Sequence, residues 1–422
     1  MGCASGVLAA LIAVELFPRL DADLVHYRRV RDFVRESFVQ EVTDEELLEH
    51  ALHGMLERLD AYSRYYDPSE SAELERETVG RFVGIGAVFA PPAGAGRVLF
   101  AMPGSPAARA GVRVGDRIVS VDGRPLAELE EGELARLVGR SAGVPIELRV
   151  SGLDGEGRVL SVTPESLVDP TVRHARMVDR EHRIGYVALS AFSHETLGEL
   201  DRTFGHLREN GMRALVLDLR GNFGGVLEAA VRIAERFIAG GVIVSTEGRG
   251  EPVVLRSDPS EALWEGFPLV VLVDGDSASA SEVLAGALQD HRAAVLCGTP
   301  TYGKGMVQTM RRFVDRGAVA KITTSYYYTP THRNFERTLG REGDSGIRPD
   351  LAVPITDAER RAIHAFLARH GAPVEARADL EAWERAEGLE LIEPHPPDAQ
   401  LDAALELLRG RPLGALAGAE ER

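Results

Sequence analysis

Short runs that are apolar at every position but Asp218, separated by helical patterns, most constrain the fold of this chain. They lie at Ile184–Leu189, Ala214–Leu219, Pro268–Val273 and Ala293–Cys297. A half-exposed strand alternates apolar and polar residues, whereas these runs do not, so both faces of each strand must be buried. The segment Val226–Ile238 has an apolar stripe at helical spacing. The pattern predicts an α/β core with a mostly parallel sheet covered by helices.

A second region predicts a separate β-rich module. Strands are predicted at Phe82–Phe89, Arg97–Met102, Arg117–Val121 and Ile146–Val150, with one helix at Glu130–Leu137. Glycine and proline turns separate them. The segment between Val150 and Ile184 is rich in charged and turn residues, and we interpret it as a linker to the core.

Helical patterns flank these two regions. Thr43 lies three residues before Glu46, a spacing typical of a capping box, and predicts a helix that ends near Asp60. Beyond Pro354 the chain is charged and helical, and this extension is predicted to pack on the core or on a second subunit. Residues 6–17 are apolar but shorter than the ~20 residues that span a bilayer. They are either the remnant of an export signal or membrane anchor, or an amphipathic first helix.

Composition excludes several classes of function. The formal net charge of −17 and the absence of a basic cluster argue against nucleic-acid binding, because phosphate contacts need a basic face. The two cysteines, Cys3 and Cys297, are too few for a disulfide framework or a zinc site. We therefore expect a soluble, acidic protein that is repelled by polyanions.

Lysine is almost absent from this chain. Of 48 basic residues only Lys304 and Lys321 are lysine, which leaves 46 arginines. Lys304 stands between Gly303 and Gly305. A desolvated lysine amine can lose its proton and act as a base, whereas an arginine guanidinium cannot. Lys304 is therefore a candidate for acid–base chemistry.

A serine-rich segment, Asp276–Glu282, follows the run Pro268–Val273 and precedes a predicted helix, Ser281–Asp290. Ser279 lies just before the helix N-terminus, where unpaired backbone N–H groups would stabilise a developing oxyanion. Serines at such positions also act simply as caps and turn residues. From the residues alone, Ser279 is either a nucleophile or a cap.

The segment Gly298–Gly305 nearly matches a phosphate-binding P-loop and follows a predicted strand. A P-loop needs serine or threonine where this chain has Gly305, and it opens a helix. The next residues, Met306–Met310, alternate like a strand. Nucleotide binding is therefore the weaker interpretation.

The chain resembles the carboxyl-terminal processing proteases, also called tail-specific proteases. The hallmark of that family is a Ser-Ala-Ser-Glu turn, here Ser279–Glu282, followed by a Gly-Lys-Gly loop and Val-Gln-Thr, here 303–305 and 307–309. Further matching segments are 56–65, 83–86, 115–118, 217–222, 327–330 and 346–350.

The resemblance implies that Ser279 is the nucleophile, that Lys304 is the general base and that Gln308 orients the lysine. A lysine base needs its pKa lowered from ~10.4 to roughly 7–8, which burial can supply. The resemblance also implies two oxyanion donors. One is the Ala280 backbone N–H, and the other is the amide of either Gly224 or Gly225.

The β-rich module resembles a circularly permuted PDZ domain, in which Gly84, Ile85 and Gly86 receive the C-terminus of a peptide. The peptide would add to the module as an extra strand. Its last side chain would enter an apolar pocket formed by Ile85, Val88, Leu134 and Leu137.

Two positions depart from the family pattern. Many members carry an arginine before the glycine at position 139, and this chain has Val138 there, with Arg140 as a potential substitute. The segment Thr331–Phe335 also differs from the usual glycine-bearing loop.

The resemblance implies a crotonase-like α/β serine protease core with an inserted PDZ domain and helical extensions at both ends. It implies an endopeptidase that cleaves proteins near apolar C-termini without a metal or a cofactor. The expected location is the periplasm or cell envelope. Membrane attachment through the N-terminus and homo-oligomers through the terminal helices are further expectations. A non-catalytic PDZ-containing scaffold is the alternative. The expected domains are an apolar segment 1–20, a helical arm 21–80, a PDZ domain 81–152, a protease core 153–355 and a helical extension 356–422.

Overall fold

The apolar runs of the sequence form one six-stranded sheet. Its first pair of strands is antiparallel and every later pair is parallel. This confirms the predicted, mostly parallel α/β core. In spatial order the strands are Val172–Asp179, Ile184–Leu189, Ala214–Asp218, Leu269–Val273, Val295–Gly298 and Leu351–Ala352.

The computed structural model divides the chain into two units, which we describe one at a time. The first contains residues 1–72 and 308–323, and the second contains residues 73–307 and 324–422. The residues that the structure describes are 22–68, 70–71, 81–89, 96–129, 133–140, 142–153, 155–339, 345–367, 379–380, 382–383, 385 and 396–410. Residues 1–21, which include the predicted signal or anchor segment, lie outside the described residues.

Helices cover both faces of the six-stranded sheet in the second unit. Leu215 and Leu217 pack on one face with the helices Thr196–Glu209, Leu227–Phe237 and Ala280–Asp290. Ala214 and Val216 point to the other face, because successive strand residues alternate sides. The helices on that face are Asp357–Leu367 and Ala399–Leu408, which confirms the helical C-terminal extension.

The second unit also contains the β-rich module. The predicted strand Phe82–Phe89 is two strands, Arg81–Gly84 and Ala87–Phe89, because Gly86 has a φ of +73° and interrupts the extended backbone. The other elements of the module are Val98–Ala101, Pro106–Arg109, Arg117–Val121, Arg124–Pro125, Leu126–Glu128, Glu133–Arg140 and Ile146–Ser151.

The linker interpretation of the segment between Val150 and Ile184 was wrong. Two strands in it belong to the module: Gly157–Val162 pairs with Ile146–Ser151, and Glu165–Val168 pairs with Arg81–Gly84. Strand pairing in the module therefore continues beyond residue 152. Most residues of these two strands are exposed or half-buried, so their sequence lacks the strongly apolar character of the core strands.

The described part of the first unit begins with two helices, Ala22–Ser37 and Asp44–Glu57. The predicted capping box at Thr43 is present, since the Glu46 amide donates to the Thr43 hydroxyl and the Thr43 amide donates to the Glu46 carboxylate. The strand Arg64–Tyr66 pairs with residues 319–321.

The remaining described elements are four strands and one short 3-10 helix. They are Val242–Gly248, Val253–Arg256, Pro259–Glu261, Met306–Phe313 and Ala318–Tyr328.

No helix among the described residues is both long enough and apolar enough to cross a membrane.

Replacing a leucine at the centre of the sheet tests this core. Leu217 is fully buried, so Leu217→Ala should leave a cavity and lower the free energy of unfolding by about 2–5 kcal/mol. Val253 lies on an exposed strand, so the control Val253→Ala should change it by less than about 0.5 kcal/mol. Urea unfolding followed by circular dichroism measures both, and equal losses would contradict the assignment of the core.

Candidate active site

Ser279 ends a turn between a buried strand and a helix. We call residues 274–279 the serine turn, which joins Leu269–Val273 to Ala280–Asp290. Ser279 is the N-cap of this helix and has φ +58° and ψ −114°. A residue with a side chain adopts such a backbone conformation only when its surroundings enforce it, and strain of this kind is typical of functional sites.

A second turn, residues 220–225, lies against the serine turn, and we call it the glycine turn. Asn222 is fully buried and joins the two turns. Its carbonyl accepts from the Ala278 amide at 3.0 Å and from the Ser281 hydroxyl at 2.8 Å. Its side-chain amide donates to the Leu189 carbonyl at 2.8 Å, which fixes the glycine turn to the sheet.

Gly224 packs directly against the nucleophile candidate. A Cβ atom on Gly224 would lie 2.7 Å from the Ala278 carbonyl oxygen and 2.9 Å from the Ser279 Cβ. The φ of Gly224 is +101°, so both conformation and space require glycine here. Its amide donates to the Asn222 side-chain oxygen at 2.9 Å and is therefore engaged in holding the turn.

Gly225 differs from Gly224 in the direction of its amide. The hydrogen bonds of Phe192 go to the residues on either side of Gly225, because the Phe192 amide donates to the Gly224 carbonyl and the Val226 amide donates to the Phe192 carbonyl. In such a bridge the intervening residue directs its own N–H away from the partner strand. Among the described residues, neither the Gly225 amide nor the Ala280 amide donates a hydrogen bond.

One buried carboxylate connects the serine turn to the segment that carries Lys304. We call residues 301–305 the lysine loop. The carboxylate of Glu282 accepts from the Ser279 amide at 2.9 Å, from the Gly303 amide at 2.7 Å and from the Lys304 amide at 2.8 Å. It also accepts from the Thr301 hydroxyl at 2.5 Å. The backbones of Ser279 and Lys304 are therefore bonded to the same side chain.

The electrostatics of Glu282 follow from its burial, since the residue is 0% exposed. Desolvation raises the pKa of Glu282, while the hydrogen bonds from Thr301, Lys304, Gly303 and Ser279 act in the opposite direction. A buried carboxylate is tolerable only when donors satisfy its oxygens. The four hydrogen bonds therefore offset the cost of burying the carboxylate, and they fix which segments of the chain Glu282 contacts.

A second buried carboxylate, Glu336, supports the other end of the lysine loop. It accepts from the Gly305 amide at 2.9 Å, and the Arg337 amide donates to the Gly303 carbonyl at 3.0 Å. The guanidinium of Arg337 lies over the ring of Tyr302, 4.1 Å from its centre. The residues that follow the divergent segment Thr331–Phe335 therefore shape the lysine loop.

The other predicted catalytic side chain, Gln308, lies on the strand Met306–Phe313 and is half-buried. Lys304 is also half-buried. The predicted role of Gln308 toward Lys304 stays a prediction.

The elements that the resemblance assigns to peptide binding are the strand Ala87–Phe89 and the helix Glu133–Arg140. Gly84, Ile85 and Gly86 are buried at the start of this strand. The carbonyl of Ile85 accepts from the Ala107 amide at 2.8 Å. Apolar side chains from both elements share one cluster: Ile85, Ala87, Phe89, Leu134 and Val138.

Val88 lies outside this cluster. It packs with Phe100, Leu380 and Trp383 on the opposite side of the strand, because successive residues of a strand alternate faces. Leu137 is half-buried on the helix, and the side chain of Arg140 lies outside the described residues. Of the four residues predicted to form the apolar pocket, Val88 lies on the opposite face of the strand. Ala87 and Phe89 lie on the face where Val88 was expected.

Two clusters combine histidine with carboxylates, and their members pair with one another. His53 lies 3.9 Å from Glu70, and His364 contacts Asp274 and Asp276. The expectation that the chemistry uses no metal and no cofactor stays a prediction.

Sequence reasoning missed the roles of Glu282 and Glu336. The spacing Ser-x-x-Glu at Ser279–Glu282 is typical of a capping box and would have indicated that Glu282 contacts the Ser279 amide. No local pattern indicates that Glu336 contacts Gly305, since the two residues are 31 positions apart.

A conservative substitution tests the connection through Glu282. In Glu282→Gln an NH2 group replaces an acceptor oxygen and faces N–H donors, so we expect the free energy of unfolding to fall by about 1–3 kcal/mol. The amides of Gly303 and Lys304 should exchange faster with deuterium. The control Glu228→Gln changes an exposed residue of the first turn of Leu227–Phe237 and should alter neither quantity. Unchanged exchange in Glu282→Gln would contradict the connection.

Comparisons with known proteins identify relatives of this chain. A family model described as peptidase family S41 matches residues 183–353, and a PDZ domain model matches residues 98–151. The photosystem II D1 C-terminal processing protease aligns over 81% of this chain and 90% of its own, with 29% identity and a TM-score of 0.47.

Curated relatives extend the similarity over nearly the whole chain. The carboxyl-terminal-processing peptidase 2, chloroplastic, of Arabidopsis thaliana is 33% identical over 70% of this chain, which spans 58% of that relative. A carboxy-terminal-processing protease of Bartonella bacilliformis is 32% identical over 396 residues, which are 92% of this chain and 88% of the relative. The chain therefore belongs to the family of carboxy-terminal-processing proteases, serine peptidases of family S41 that carry a PDZ domain.

Proposed function

We propose that this protein is an endopeptidase that captures apolar C-terminal tails in its PDZ domain and cleaves the same proteins with Ser279 and Lys304. The observation that carries the proposal is the shared contact with Glu282, since one buried side chain accepts from the amides of both residues. Serine and lysine side chains form a known hydrolytic pair in other proteins.

In the proposed reaction the Ser279 hydroxyl oxygen attacks the carbonyl carbon of the scissile peptide bond. The Lys304 amine accepts the hydroxyl proton and then donates it to the leaving amine, so that an ester to Ser279 remains. Water hydrolyses this ester with the lysine again as base, which releases the new carboxylate and restores the serine. Gln308 is proposed to orient the lysine.

The proposed oxyanion donors are the amides of Ala280 and Gly225. The Ala280 amide is at the N-terminus of the helix Ala280–Asp290, where the helix dipole favours negative charge. Gly225 is preferred over Gly224 because the Gly224 amide already donates to Asn222. Neither preferred amide donates a hydrogen bond within the described chain, so each remains available to a developing oxyanion.

Substitution of the two lysines by arginine separates basicity from charge. Lys304→Arg keeps the charge but cannot accept a proton, so cleavage should fall by at least about a hundredfold, the contribution typical of a general base. Ser279→Ala should abolish it. Lys321 lies over the ring of Tyr66, and Lys321→Arg is the matched control that should retain activity.

The measurement is cleavage of an unfolded reporter protein that ends in Leu-Ala-Val. Equal cleavage by wild type, Ser279→Ala and Lys304→Arg would refute the catalytic assignment. It would leave the alternative of a non-catalytic, PDZ-containing binding protein.

Tail capture is tested on the groove between strand and helix. Leu134→Glu places a charge among the apolar side chains near Ile85, and we expect at least a tenfold weaker affinity for a labelled peptide ending in Leu-Ala-Val. Val119→Glu changes an exposed residue of the same module and should bind normally. Fluorescence anisotropy measures binding, and the peptide C-terminal amide should bind weakly to wild type. Equal affinity of acid and amide would argue against a carboxylate site.

We also propose a periplasmic or cell-envelope location, as the resemblance to exported proteases implies, with membrane attachment through residues 1–20. Self-association through the terminal helices remains a further proposal. The helix Ala22–Ser37 supports it, because the helix has no buried residue and its Phe33 is exposed.

A further inference from the structure

Two charged side chains of the C-terminal extension contact the turns of the active site. His364 comes from the helix Asp357–Leu367, and Asp398 caps the helix Ala399–Leu408. Neither residue has a role in the reaction proposed above. Their partners, Asp274 and Arg220, are the first residues of the serine turn and of the glycine turn.

Asp274 is the residue at which the two turns meet. It is 1% exposed, and its Oδ1 atom accepts from the Gly221 amide at 3.0 Å and from the Ser277 amide at 3.1 Å. The Ser277 hydroxyl also donates to the Leu219 carbonyl at 2.8 Å. A single carboxylate oxygen therefore fixes the backbone before Asn222 relative to the backbone before Ser279.

His364 is the counter-charge of Asp274. Its Nε2 atom bonds to the Oδ2 atom of Asp274, and its Nδ1 atom lies 3.4 Å from the Oδ2 atom of Asp276. Both ring nitrogens thus face carboxylates, an arrangement that suits the doubly protonated ring. The ring also packs on Gly221, where a Cβ atom would lie 3.6 Å away. Arg360, on the same helix, is the other cation nearby and pairs with Asp276.

Both pKa shifts favour the charged pair, a protonated His364 and an ionised Asp274. The hydrogen bond to Asp274 raises the pKa of His364, with further support from the charges of Asp274 and Asp276 and opposition from burial and Arg360. Burial acts to raise the pKa of Asp274, but the hydrogen bonds from His364 and Gly221 and the charge of His364 lower it. A buried carboxylate that loses its cationic partner is strongly destabilised.

Asp398 makes the corresponding contact with the glycine turn. The guanidinium of Arg220 has no exposed surface and lies 2.6 Å from both Asp398 and Asp218. The Tyr186 hydroxyl donates to Asp218 at 2.7 Å, and Arg220 also donates to Gln400 at 3.0 Å. The position of Arg220 therefore depends on Asp398 and Gln400, which lie 178 and 180 positions further along the chain.

We propose that the C-terminal extension is a structural part of the active site, in which His364 and Asp398 are positioning residues that hold the serine turn and the glycine turn in register. The catalytic consequence rests on the proposed function. A displacement of one turn relative to the other by about 1 Å would move the proposed donor Gly225 away from Ser279 and Ala280 and would cost up to about a hundredfold in rate.

The His364–Asp274 pair also predicts a pH dependence. Because the pKa of His364 is raised in the folded chain, its stabilising contribution is complete below the unfolded value of 6.5 and is lost as the pH rises through the raised value. The positively charged ring is thus the form that holds Asp274. We therefore expect the rate of the wild type to decline on the alkaline side as His364 loses its proton.

The test compares His364→Gln with the control Asp357→Asn, which changes an exposed residue of the same helix. With the Leu-Ala-Val reporter at pH 7, His364→Gln should lower kcat by about tenfold or more with little change in KM, and it should lack the alkaline decline due to His364. Asp357→Asn should match the wild type. A purely structural role of His364 would lower the melting temperature without changing kcat or the pH profile, and this result would overturn the proposal.

Hydrogen exchange provides a readout that does not depend on proteolysis. The amides of Gly221 and Ser277 should exchange faster in His364→Gln, and those of the glycine turn should exchange faster in Asp398→Asn, than in Asp357→Asn. If the wild type fails to cleave but exchange accelerates, the proposed function fails and the positioning role stands. Unchanged exchange in both variants overturns the positioning role even if the wild type is an active protease.

Discussion

The active site depends on a buried carboxylate that is shared by two segments of the chain. Glu282 has no contact with solvent, so its oxygens must be satisfied by donors from the protein. Those donors include the amides of Ser279 and Lys304, which are 25 positions apart in sequence. A side chain on the first turn of one helix therefore fixes the backbones of the proposed nucleophile and the proposed base relative to each other.

Other buried ionic groups repeat this arrangement around the site. Asp274, Arg220 and Glu336 each connect a turn of the active site to a distant part of the chain. Burying such groups is costly, and removing one partner of a buried pair typically costs about 3–5 kcal/mol. A hydrophobic contact that buried the same area would stabilise the fold, but it would not fix the direction of the backbone N–H groups, because the hydrophobic effect is non-directional. The ionic contacts instead specify the positions of backbone amides, which is the requirement of an oxyanion site.

The C-terminal extension has more than one contact with the rest of the second unit. Leu380 and Trp383 pack with Phe100 and Val88 of the PDZ domain. The helices on either side of this segment carry His364 and Asp398 to the active-site turns. The extension therefore contacts both the domain proposed to capture the tail and the turns proposed to cleave it.

The sequence alone determined the parallel sheet, the β-rich module and the candidates Ser279 and Lys304, because apolar periodicity, glycines and helix capping are local properties. The tertiary structure decided which side chains connect these segments. The capping-box spacing indicates the contact of Glu282 with Ser279, but the contacts of Glu282 with the lysine loop, of Asp274 with His364 and of Glu336 with Gly305 join residues far apart in sequence, which no local pattern encodes. The tertiary structure also decided that Val88 packs with the cluster of Phe100, Leu380 and Trp383, and that strands replace the expected linker, because strand pairing and register depend on partners elsewhere in the chain.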